Sequence, residues 1–102
     1  DYARLGNNQM LVADPQSGVT QRFLTGPNGC EITGITSTPD GRSLFVNIQH
    51  PGESASERSD PANPTAISAW PASQFPDAVG GRPRSGTLVI SRQDGKEITS
   101  AK

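Results

Sequence analysis

The sequence predicts an all-β protein built as an antiparallel meander, and three observations carry that prediction. The apolar share is 31%, below the roughly 45–50% (glycine included) of an average globular domain. Eleven glycines and nine prolines in 102 residues describe short strands and frequent turns, and argue against long helices. Four runs of β-branched and aliphatic residues then fall between turn clusters in the first half of the chain.

The first predicted strand is Gln9 to Ala13, closed by Asp14-Pro15-Gln16-Ser17-Gly18. The second is Val19 to Thr25, with Val19, Gln21, Phe23 and Thr25 on one face, ending in Gly26-Pro27-Asn28-Gly29. The third is Cys30 to Ser37, closed by Thr38-Pro39-Asp40-Gly41. The fourth is Ser43 to Gln49, where Leu44, Val46 and Ile48 alternate with Phe45 and Asn47; both faces are largely apolar, which predicts a strand sandwiched between layers. Pro15 and Pro39 pre-set φ for a reversal, and short connections of this kind join antiparallel neighbours. Residues 1–49 are therefore expected to hold a four-strand meander. The turn rhythm, Asp-Pro-Gln-Ser-Gly echoed by Pro-Asp-Gly-Arg-Ser, suits a β-propeller and equally a β-sandwich.

From residue 50 to residue 85 the pattern breaks. This stretch holds six of the prolines and no periodic apolar face, which predicts one long Pro-rich loop. Ala69, Trp70, Phe75 and Val79 are its expected anchors, with a turn of helix near Ala72 to Phe75. Residues 86–102 supply a terminal strand over Thr87 to Arg92, a turn at Gln93-Asp94-Gly95-Lys96 and a polar tail.

Charge and cysteine content exclude several classes. Nine basic and ten acidic residues, with no block of like charge, give nucleic acid and anionic membranes no electrostatic hold. No apolar run nears the ~20 residues of a membrane helix. Cys30 is the sole cysteine, so neither an internal disulfide nor a cysteine metal cage is expected. A chain this small buries only about two-thirds of its unfolded surface. Much of its native core is therefore expected in a remainder of the same polypeptide. An excised sheet with open edges also pairs readily with another copy, so a homodimer of this chain alone is expected as an artefact of truncation.

Two stretches carry a family resemblance. One is Phe23-Leu24-Thr25-Gly26-Pro27-Asn28-Gly29-Cys30-Glu31-Ile32-Thr33-Gly34, and the other runs from Thr38-Pro39-Asp40-Gly41 through Leu44-Phe45-Val46-Asn47-Ile48-Gln49-His50-Pro51-Gly52-Glu53. They resemble the carboxy-terminal part of the PhoX family of bacterial alkaline phosphatases, and the likeness extends from about Asn7 to Gly95. The resemblance implies one to two blades of a β-propeller. It also implies hydrolysis of phosphate monoesters with calcium and iron, and export to the periplasm or beyond through the twin-arginine route. The family's cysteine iron ligand lies in an earlier part of its sequence, so Cys30 is read as a small buried hydrophobe instead.

Meander geometry places the candidate site. Connections alternate between the two ends of the sheet, so Glu31, at the start of the third strand, should meet His50 and Glu53, after the fourth. Carboxylates suit hard cations such as calcium. With the resemblance, Glu31 becomes the leading metal-ligand candidate, and His50 and Glu53 are weaker ones. Each has a structural alternative: Glu31 as a surface carboxylate, His50 as a packing histidine. Arg82 and Arg84 are candidate phosphate-binding groups through bidentate hydrogen bonds, against a reading as solvated charge. Asn47 is expected to hydrogen-bond across the sheet, and Trp70 to anchor the loop.

Function then reads as a segment of a metal-dependent phosphatase that is inactive alone. The alternatives are a non-catalytic propeller segment that binds a ligand or partner, and a purely structural closing segment.

Overall fold

A computed structural model of the chain describes residues 4, 6–53, 60–75, 77 and 81–100. Five strands appear in it: β1 (Gln9–Ala13), β2 (Thr20–Thr25), β3 (Glu31–Ser37), β4 (Ser43–Gln49) and β5 (Gly86–Ser91). All pairings are antiparallel, so the all-β antiparallel prediction holds.

The single four-strand meander does not. The strands divide into a β1–β2 hairpin and a three-stranded sheet in the order β3-β4-β5. The break falls at Gly26–Cys30, and the hydrogen bonds there give the reason. Pro27 has no N–H to offer a ladder, and its carbonyl instead accepts from Cys30 N at 3.2 Å, turning the chain. Asn8 bridges the two sheets at this point. Its carbonyl accepts from Gly26 N, and its side-chain Oδ1 accepts from Ile32 N, both at 2.9 Å. Asn8 is thus a fastener across the seam between the sheets.

Each hairpin turn is closed by an aspartate. Asp14 Oδ1 accepts from Gln16 N at 3.0 Å and its Oδ2 from Ser17 Oγ at 2.7 Å. Asp40 Oδ1 accepts from Thr38 Oγ1 at 2.6 Å and from Arg42 N at 3.0 Å. These bonds favour the ionised carboxylate and hold both groups below the usual value of 3.8, with the Ser17 and Thr38 hydroxyls contributing most.

Register decides which side chains share a face. Glu31 opposes Gln49, and Thr33 opposes Asn47, which in turn opposes Thr87. The expected cross-sheet role of Asn47 is present: its Oδ1 accepts from Thr87 Oγ1 at 2.8 Å. The other face of β4 carries Val46 and Ile48, both buried. A bulge between Thr33 and Ile35 shifts the β3 register, so that Ile35 opposes Val46. Phe45 is 37% exposed, so the second covering layer expected on that side of β4 is not present among the described residues.

The core is small, as the apolar share requires. Cys30, Ile48 and Trp70 form its centre, with Ile32 and Leu88 packed against them. Cys30 is fully buried, and burial pushes its thiol up, away from the nucleophilic thiolate. Trp70 lies over Gly86 at the start of β5, its indole N–H donates to Gln74 Oε1 at 3.2 Å, and its ring meets Phe75 edge-on at 6.2 Å. Between β4 and β5 the described residues form turns, bends and irregular stretches with no helix or strand, including a hydrogen-bonded turn from Pro71 to Phe75. Val79, the fourth expected anchor, lies outside the described residues.

Candidate functional site

The site is built where β3 begins and β4 ends. Pairing of Glu31 with Gln49 sets the start of one strand beside the end of the other, so Glu31 and His50 are neighbours across the sheet end. This β3–β4 pairing alone brings them together; a continuous meander is not needed. His50 has a φ of 39°, in the left-handed region that non-glycine residues seldom enter. Pro51 follows and a turn closes by Glu53 N donating to His50 O at 3.1 Å.

Two loops dock to hold this turn. Gly52 N donates to Asn28 O at 2.8 Å, and His50 N donates to Ser85 Oγ at 3.0 Å. Gly29 sits between the loops with a φ of 73°, and a Cβ there would run into the backbone carbonyl of Glu53. Only glycine meets both demands, since it has no side chain and tolerates positive φ.

The imidazole of His50 joins three acceptors. Its Nδ1 lies 2.9 Å from Glu53 Oε2 and 3.1 Å from Gly29 O, while its Nε2 lies 3.5 Å from Glu31 Oε2. Partial burial pulls the His50 pKa down. The Gly29 carbonyl, its own backbone and the two carboxylates outweigh that, and the net direction is upward from 6.5. Both glutamates remain more than half exposed, at 57% and 58%.

His50 and Glu53 also border a cleft of about 580 Å³, whose other walls include Asp60, Arg82 and Pro83. Arg82 is therefore on the site side of the molecule. Arg84 is not among the cleft's lining residues; its backbone N–H instead donates to Trp70 O at 3.1 Å. Gly29, Ser85 and Asp60 escaped the sequence reading. Gly29 reads as a turn residue and as part of the resembling stretch, directly before Cys30-Glu31, without a role in the site. Ser85 and Asp60 carry no local signal, because their role depends on where the chain returns.

As a metal centre, the group of three is incomplete. Calcium takes six to eight oxygens, and no cluster of three or more His, Cys, Asp or Glu side chains among the described residues is arranged to hold an ion. Two exposed carboxylates are suitable donors nonetheless.

The comparisons with known proteins agree with the all-β antiparallel scaffold. A family model for the alkaline phosphatase PhoX matches residues 1–52. The chain belongs to the PhoX family of alkaline phosphatases. Among solved structures it is similar to Pseudomonas fluorescens PhoX in complex with vanadate, a transition-state analogue, at 44% identity and a TM-score of 0.71. That match covers 96% of this chain and 14% of the other, so the chain corresponds to a small part of that protein. No curated protein matches.

Proposed function

We propose that this chain is a carboxy-terminal segment of a metal-dependent phosphatase acting on phosphate monoesters, and that it forms one wall of the active site. The observation that carries the reading is the meeting of Glu31 and Glu53 around His50 beside the cleft that Arg82 lines. Family membership supports the reaction class. It also supports calcium and iron as the ions, an exported setting, and the assignment of the sheets to one or two propeller blades.

In this reading Glu31 lends a carboxylate oxygen to an ion whose other donors come from the rest of the polypeptide. Ions bound there would neutralise charge on the phosphoryl oxygens during displacement. Arg82, through its guanidinium, would hold phosphate oxygens by paired N–H bonds at the cleft wall. Alone, the segment lacks a complete shell and should not turn over substrate.

The test is Glu31→Gln in the full-length protein, which keeps size and removes the charge. Calcium or iron content and phosphatase activity should fall together. Both remaining at their original values would remove Glu31 from the site.

A further inference from the structure

We propose that Asn28 is a self-modification site, where the backbone nitrogen of Gly29 displaces the side-chain amide as ammonia, and that the change releases the loops docked on this turn. Of the asparagines Asn7, Asn8, Asn28, Asn47 and Asn63, only Asn28 precedes a glycine. The attacking atom is the main-chain nitrogen of the following residue. A side chain on that residue shields the nitrogen, and glycine has none.

The fold leaves this nitrogen free. Asn28 and Gly29 are the two central residues of a turn closed by Cys30 N donating to Pro27 O at 3.2 Å, and Gly29 carries its positive φ of 73°. The bond that closes such a turn uses neither central N–H. Among the described residues, none accepts from Gly29 N. Asn28 is exposed, and its amide nitrogen is held by Ile67 O at 3.3 Å.

The chemistry balances with water alone. Gly29 N bonds to Asn28 Cγ as the Cγ–Nδ2 bond breaks, and the Gly29 N proton leaves with the departing nitrogen as ammonia. Water then opens the five-membered imide, adding its hydroxyl to a carbonyl carbon and returning a proton to Gly29 N. Opening at Cγ leaves aspartate. Opening at the main-chain carbon leaves isoaspartate, whose chain runs through Cβ and Cγ.

Aspartate breaks one docking contact and isoaspartate two. In either product the Nδ2 donor is gone, and in aspartate a carboxylate oxygen faces Ile67 O, acceptor against acceptor. In isoaspartate the main-chain carbonyl that accepts from Gly52 N at 2.8 Å becomes a free carboxylate. The turn also gains a carbon in its main chain where Gly29 packs too closely on the Glu53 backbone to admit even a Cβ.

The full-length protein, incubated folded in neutral buffer, tests both halves. Peptide mapping by mass spectrometry, with fragmentation that separates aspartate from isoaspartate, should find conversion at Asn28 running ahead of that at Asn7, Asn8, Asn47 and Asn63. Asn28→Gln, which keeps an amide but cannot close a five-membered ring, should show no mass gain in the same peptide. In the aged protein, hydrogen exchange over residues 50–53 and 66–70 should quicken by about two- to tenfold, the effect of losing one or two hydrogen bonds. In freshly made Asn28→Asp, only residues 66–70 should quicken. Conversion at Asn28 no faster than at the other four asparagines would overturn the site, as would an equal mass gain in Asn28→Gln. Unchanged exchange in fully converted protein would overturn the release of the loops.

Discussion

Removing the Trp70 side chain tests how the segment between β4 and β5 is held to the sheet. Trp70 is 5% exposed and is one of three side chains at the centre of the core. A buried indole covers about 150–250 Å², which at about 25 cal/mol per Å² amounts to about 4–6 kcal/mol. Measured Trp→Ala changes run at about 3–5 kcal/mol. Trp70→Ala should therefore cost about 4 kcal/mol of local stability in the full-length protein. The cost should not be spread evenly. Gly86 lies directly beneath the ring, and a Cβ added there would come within 3.1 Å of Trp70 Cη2 and 3.3 Å of Cζ3.

Gly86→Ala alone is then an overpacking change of about 1–3 kcal/mol. In a Trp70→Ala background the same methyl enters empty space, and its cost should disappear. The cycle should show a coupling of at least about 1 kcal/mol, with the double variant more stable than the sum of the singles predicts. Hydrogen exchange on peptides covering residues 60–91 reads the local opening free energy in each variant. Additivity within about 0.5 kcal/mol would refute the claim that the indole packs on Gly86.

Two further perturbations probe the site and the turns. Gly29→Ala forces a side chain into the left-handed region, at about 1–2 kcal/mol, and drives its methyl into the Glu53 carbonyl. Denaturant titration should show a loss above about 2 kcal/mol; an unchanged value would contradict the docking of the two loops. Asp40 has a folded pKa below 3.8, so its charge stabilises the β3–β4 turn fully above pH 3.8 and loses that contribution as pH falls through the folded value. The melting-temperature gap between the protein and Asp40→Asn should accordingly be constant from neutral pH to about 4 and close in stronger acid. A gap that persists undiminished at low pH would assign it to something other than ionisation.

Part of the site was legible because it depends on neighbours in sequence joined by one hairpin. Thr38-Pro39-Asp40-Gly41 announces a tight reversal, and a tight reversal obliges the start of β3 to face the end of β4. Glu31 and His50 meet as a consequence. Ser85 could not be found this way, since it reaches His50 across 35 positions after a segment with no periodicity. Arg82 and Arg84 looked alike in sequence, two positions apart, and the fold alone places the first on the cleft and ties the backbone of the second to Trp70.

By itself, the sequence determined the strand content, the turns and the family motifs, because these are written in alternation and in glycine, proline and aspartate at fixed offsets. Cys30 and Trp70 as buried groups followed from their chemistry. Tertiary structure decided which strands pair. The expected β2–β3 neighbours separate into two sheets, with Asn8 bonded to Gly26 and Ile32 across the seam, and β5 pairs with the open side of β4. It also decided the partners of His50: a lone histidine before a proline does not reveal that its ring is held between one backbone carbonyl and two carboxylates. Such contacts depend on the return path of the chain, and local residue preferences do not encode it.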